Sequence, residues 1–130
     1  MYQATTRQLR ISVQSEFLEH QSQPENNQYF WAYTVTIENM GQETVQLQNR
    51  FWHITDALGQ VQEVRGMGVV GEQPVLEPGD SFSYTSGTPL ATPSGVMRGH
   101  YSFTNEKRET FAATIPAFSL DSPYQPVRLN

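Results

Sequence analysis

The sequence contains no cysteine. That excludes disulfides, thiolate nucleophiles and cysteine-ligated zinc. Charge is also scarce: Asp, Glu, Lys and Arg make up 16% of the 130 residues, against about a quarter in an ordinary globular domain. Aromatics reach 12%, and a chain poor in charge and rich in aromatics is not disordered. Eight Lys and Arg stand against thirteen Asp and Glu, a net charge of −5, so the basic footprint that holds duplex nucleic acid is missing. No apolar run approaches the ~20 residues of a membrane span. The opening MYQATTRQLR has no apolar signal-peptide core. The expectation is a cytoplasmic protein without membrane or duplex nucleic acid as partner, folded as one domain over residues 1–130.

What the sequence does have is strand character. Val, Ile and Thr account for 26 residues and aromatics for 15, the side chains that suit a pleated surface. Leu9-Arg10-Ile11-Ser12-Val13 alternates as a half-buried strand does. In residues 29–38, Tyr29, Trp31, Tyr33, Val35 and Ile37 share one face, with Phe30, Ala32, Thr34 and Thr36 on the other, which predicts a central strand. Asn39-Met40-Gly41-Gln42 reads as a turn. From Thr44, Val45, Leu47, Asn49, Phe51 and His53 share one parity while Trp52 and Ile54 take the other. A bulge or two-sided burial near Asn49–Phe51 resolves that conflict. Asp56-Ala57-Leu58-Gly59 turns into a strand at Val61–Val64, and further strands are expected at Ser81–Ser86, Val96–Thr104 and Thr110–Ile115.

Between them lie the Gly- and Pro-containing loops Gly66–Asp80 and Ser86–Gly95, a tight turn at Lys107-Arg108-Glu109, and a tail 116–130 with Pro116, Pro123 and Pro126. The tail is unsuited to a central strand. About seven or eight short strands with turns roughly every 8–12 residues predict an antiparallel β-sandwich or small barrel. The proline-bearing crossing loops favour the sandwich.

Gly66-Met67-Gly68-Val69-Val70-Gly71 has the spacing G-x-G-x-x-G. In dinucleotide folds those glycines open a helix whose free N–H groups meet a pyrophosphate. Here Glu72-Gln73-Pro74 and Pro78-Gly79 follow, so no helix can start and no dinucleotide cofactor is expected. Two other readings stay open. The amides could form a helix-free anion nest, with Arg65 or Arg98 adding charge-assisted bonds. Alternatively Met67, Val69 and Val70 present an apolar patch to a protein, or tuck beneath the loop as core.

His20, His53 and His100 show no metal-ligand spacing. A site assembled from His53, His100 and Asp56 depends on whether their strands are neighbours, and the expectation is no metal. Glu63, Glu72, Glu77 and Asp80 are acid–base candidates around the loop. Ser81, Ser83 and Ser86 alternate with aromatics as solvent-side residues and occupy no G-x-S-x-G elbow. Nothing pairs a nucleophile with a base, so no catalytic residue is expected. Trp31, Trp52 and the tyrosines are expected in the core, and clustering of Arg50, Arg65 and Arg98 is left to the structure.

The run NRFWHITDALGQVQEVRGMGVVGEQPVLEPGDSFSYTSGTPLATPSGVMRGHYSF, residues 49–103, resembles the ApaG family. Trp52, Ile54, Thr55, Asp56 and Gly59 carry the match, followed by Gly66, Gly68, Val69, Val70 and Gly71. Pro74, Leu76, Pro78, Gly79, Tyr84, Ser86, Gly87, Gly95, Met97, Gly99 and Tyr101 continue it, and the closing FAATIPAFSL also fits. The resemblance implies a fibronectin type III-like or immunoglobulin-like sandwich without an established enzyme activity. It also implies an association with cobalt resistance and magnesium efflux in bacteria. Similar domains attached to a eukaryotic F-box protein and to a DNA-polymerase-interacting protein suggest a protein-interaction module.

The expectation is therefore a non-catalytic module binding an unidentified protein through Gly66–Gly71, with Arg65 and Arg98 as neighbouring candidates. The alternative is a sensor for a phosphate-containing small ligand or a metal. A homodimer through an edge strand or the C-terminal tail is a further expectation.

Overall fold

The computed structural model describes residues 1–124. Nine strands run through them: β1 (Tyr2–Thr6), β2 (Leu9–Phe17), β3 (Tyr29–Asn39), β4 (Val45–Asp56), β5 (Val61–Met67), β6 (Val75–Leu76), β7 (Ser81–Leu90), β8 (Gly95–Asn105) and β9 (Thr110–Leu120). Two 3₁₀ turns, Glu19–Gln21 and Pro24–Asn26, lie between β2 and β3. One antiparallel sheet has the order β1-β2-β3-β7, the other β5-β4-β8-β9, with the two-residue β6 also paired to β4. This is the expected antiparallel sandwich, with β1 and β6 as the two strands that no sequence segment was expected to form.

The alternation along β3 is the backbone of the core. Tyr29, Trp31, Tyr33, Val35 and Ile37 are all buried, and β3 sits between β2 and β7. From the opposite sheet, Trp52, Met97, Tyr101, Phe103, Ile115 and Phe118 close over them. Each large side chain so buried contributes on the order of 2–3 kcal/mol. The indole N–H of Trp31 donates to the Asp121 carbonyl at 2.7 Å. In β4 the register against β8 slips between Leu47 and Asn49, so the bulge falls at Gln48, just before the expected segment. It reverses the parity: Val45 and Leu47 face inward before it, Trp52 and Ile54 after it.

Three boundaries need correction. The strand expected at Val61–Val64 runs on to Met67, so the loop expected from Gly66 begins inside β5 and also contains β6. The strand expected to end at Ser86 continues to Leu90. It does so because β7 has β3 on one side only, and an edge strand tolerates Gly87 and Pro89. The tail expected from residue 116 begins later: Pro116 and Ala117 lie in β9, where the register with β8 shifts between Ile115 and Phe118. A bulge on an edge strand absorbs a proline that a regular ladder would not. Tyr124 packs edge-on against Phe17 and Tyr29. The rest of the expected tail, residues 125–130 with Pro126, lies outside the described residues.

On one flank of the sandwich the edge strands β1 and β9 meet. Tyr2 Oη and Ser119 Oγ are 2.9 Å apart, and the Thr114 N–H donates to Thr6 Oγ1 at 3.2 Å. The other flank carries the edges of β5 and β7.

Candidate functional site

The glycine-containing segment is the end of an edge strand followed by a tight hairpin turn. Asp56 begins the geometry upstream: its Oδ1 accepts the N–H groups of Leu58 and Gln60, both at 2.9 Å, which folds β5 back onto β4. Gly66 and Met67 are the last residues of β5, and Gly66 pairs with Arg50. A Cβ on Gly66 would come within 2.6 Å of the Arg50 guanidinium carbon. A methyl group there would have to displace that guanidinium. Arg50 Nη1 donates to the carbonyls of Met67 at 3.1 Å and Gly68 at 2.9 Å.

The turn proper runs from Val69 to Glu72, whose backbones exchange hydrogen bonds at 2.8 and 2.9 Å. Its two central residues, Val70 and Gly71, have φ of 43° and 80°, the left-handed pattern of a type I′ hairpin turn. Just before it, the Gly68 N–H donates to the Gln48 carbonyl at 2.8 Å. The amides of Gly68, Val69 and Glu72 are thus engaged by internal carbonyls, while two carbonyls of the segment converge on a cation. An anion nest requires the reverse polarity.

The apolar residues of the segment divide. Val69 is 1% exposed and belongs to the core, whereas Met67 is 72% and Val70 56% exposed. Of the two open readings, Val69, a candidate for the partner-facing patch, takes the core one and Met67 and Val70 the exposed one: the turn throws alternate side chains to opposite sides.

The arginines divide as well. Arg50 pairs with Gly66 on the inner-face row of the ladder, while Phe51 pairs with Arg65 on the outer one. Arg65 lies 4.4 Å over the Phe51 ring and 3.7 Å from Glu63, and the Phe51 and His100 rings lie 5.0 Å apart, tilted by 31°. Arg98 faces His53 across the β4–β8 ladder. The cation that reaches the turn is therefore Arg50. Only the strand register reveals this, because the Gln48 bulge decides which face Arg50 takes.

His53 and His100 lie diagonally on adjacent strands and line one shallow hollow of about 640 Å³ with Glu63 and Arg98. The expected third member of that trio, Asp56, is occupied in the β4–β5 turn. Among the described residues no group of three His, Cys, Asp or Glu side chains could hold a metal ion. Asp80 accepts the Glu77 N–H at 2.9 Å, a turn contact. Ser81 and Ser83 are exposed as expected. Ser86 instead shares the inward parity of Phe82 and the buried Tyr84. Tyr84 and Tyr101 share a hydrogen bond between their hydroxyls, and burial pushes both phenols well above the ordinary tyrosine range. No described helix is long and apolar enough to cross a membrane.

The architecture defines a two-sheet β-sandwich domain with a type I′ turn extending from one edge strand. The ApaG domain model matches residues 19–105, and the chain belongs to the ApaG family. It is 59% identical to Protein ApaG of Rhodospirillum centenum over the full length of both chains. It is 57% identical to Protein ApaG of Mesorhizobium japonicum over 95% of each. The crystal structure of the ApaA protein from Bordetella pertussis superposes with a TM-score of 0.86 at 48% identity, covering 90% of this chain and 95% of that one.

Proposed function

We propose that this protein is a non-catalytic protein-interaction module of the cytoplasm that recognises its partner with the exposed tip of the β5 turn. The observation that carries the reading is Val70. It is a β-branched residue at a φ of 43°, a conformation that costs of order 1–3 kcal/mol for such a side chain. In that position it holds its apolar chain in solvent. Asn-Gly would make the same type I′ turn without strain. A strained residue that is also exposed and apolar is better explained by a contact than by stability.

Met67, the last residue of β5 beside the turn, supports it, being 72% exposed. Any role in cobalt resistance or magnesium efflux, as the resemblance implies, then runs through the partner protein. The phosphate-sensing alternative has less behind it, because three amides of the segment already have internal acceptors.

A photocrosslinker placed at Met67 tests the reading, with Thr85 on the exposed face of β7 as control. The expected result is a protein adduct from position 67, lost with Val70→Asn while the thermal midpoint rises. Equal adducts from both positions, or an adduct indifferent to Val70→Asn, would overturn it.

A further inference from the structure

Among the described residues strand β5 has no neighbour along one backbone edge, and the ladder shows which residues own it. The Asp56 N–H donates to Gln60 and the Gly68 N–H to Gln48, with Trp52 opposite Val64 between them. Hydrogen-bonded pairs alternate along an antiparallel ladder. Gln60, Gln62, Val64, Gly66 and Gly68 therefore bond to β4. The N–H and C=O groups of Val61, Glu63 and Arg65 and the N–H of Met67 belong to the outward row, while the Met67 carbonyl is held by Arg50.

The other open edge, on β7, is guarded. The Asn39 N–H donates to Asp80, so the even-numbered residues of β7 bond to β3. Pro89, which has no N–H, falls in the outward row. Strand β5 contains no proline.

The outward row of β5 is its own complement. A two-fold axis through Val64 lays a second β5 antiparallel to the first. Glu63 then meets Arg65 of the second copy, Arg65 meets its Glu63, and Val61 meets its Met67. Residues of the open row meet one another as the hydrogen-bonded pairs, so the register matches donor to acceptor at both Glu63–Arg65 pairs. The adjacent two-fold registers put Glu63 on Glu63 or Arg65 on Arg65, which like-charge repulsion disfavours. The ends also cover each other: Leu58 and Val61, 79% and 55% exposed, come against the end bearing Met67 and Val70 of the second copy. Self-complementarity of one patch under a two-fold axis is what an isologous dimer requires.

We propose that the occupant of this face is a second copy of this chain, joined β5 to β5 about Val64 into a sheet continuous across both molecules. The inference rests on the interaction-module reading and names its partner.

Sedimentation velocity of the full chain over a concentration series tests it, using the wild type, Glu63→Arg, Arg65→Glu and the combined swap. The wild type is expected to self-associate, each single change to weaken association by at least about tenfold, and the swap to restore it. Arg65→Pro, which removes an outward N–H without touching the β4 ladder, is expected to weaken association similarly with an unchanged circular dichroism spectrum. A wild type that stays monomeric throughout, or a folded swap variant that fails to recover, would overturn the self-pairing. If position 67 still crosslinks a different protein in that case, the second-copy partner falls and the module reading stands.

Discussion

The guanidinium of Arg50 lies against Gly66, which could not carry a methyl group without pushing it away. Two hydrogen bonds from that guanidinium to the carbonyls of Met67 and Gly68 tie the end of β5 to the body of the sandwich. Arg50→Met keeps the side-chain bulk and removes both bonds. A loss of about 1–3 kcal/mol in urea unfolding is expected, since bonds from a charged donor are worth roughly that. Gly66→Ala should act in the same direction by displacing the same group.

Two glycines of the segment should answer differently to alanine. At Gly68, with φ +64°, a Cβ would sit 2.3 Å from the Glu72 carbonyl oxygen, whereas at Gly71, with φ +80°, it would meet nothing. Gly71→Ala is expected to cost about 1–2 kcal/mol, the penalty of a left-handed backbone. Gly68→Ala carries that penalty and a backbone clash as well, so its thermal midpoint should fall further. Equal midpoints would argue against the hairpin geometry.

Neighbouring valines have opposite expectations. Val69→Ser leaves a void and an unpaired hydroxyl in the core, costing about 2–4 kcal/mol. Val70→Asn should gain about 1 kcal/mol, because asparagine accepts the left-handed turn position that valine resists. Paired denaturation curves of the two variants check both signs.

The hydroxyl pair Tyr84–Tyr101 makes stability sensitive to alkali. Both phenols titrate above the ordinary value in the folded protein, mainly through burial. Their contribution is therefore complete below about pH 10, where unfolded tyrosine ionises. It is lost as the pH rises beyond that value toward the folded pKa values. Tyrosinate absorbance from these two residues should appear only with unfolding. Tyr84→Phe should weaken the fold by leaving the buried Tyr101 hydroxyl unpaired, and the double change to Phe should be milder than the single one suggests.

Much of this architecture is legible in the sequence where one physical rule acts alone. The β3 faces follow from strict alternation, and the parity conflict between Leu47 and Trp52 points to a bulge or two-sided burial near Asn49–Phe51, which the structure resolves as a bulge at Gln48. The turn at Asn39 follows from residue type: its side chain accepts the Gly41 N–H and donates to the carbonyls of Glu43 and Leu76. Strand β1, YQATT, lacks an alternating apolar signal and is held by pairing with β2. The extensions of β7 past Gly87 and of β9 past Pro116 depend on sheet order, which decides whether a proline faces a neighbour or open solvent. The segment Gly66–Gly71 stands out in the sequence, but its geometry does not. Nothing in GMGVVG indicates that Val69 turns inward and Val70 outward, or that the cation beneath is Arg50 sixteen residues earlier.

The seam between β1 and β9 bears on how fast the molecule forms. Tyr2 and Ser119 are 117 positions apart in the chain, and Thr6 and Thr114 are 108 apart. Those contacts close the longest loops in the described protein and reward the chain only after their entropy has been lost. All-β domains dominated by such distant pairings fold on the millisecond-to-second scale. In the nascent chain the seam has to wait for the last strand, so the β1–β2 hairpin spends the longest time with its apolar face uncovered.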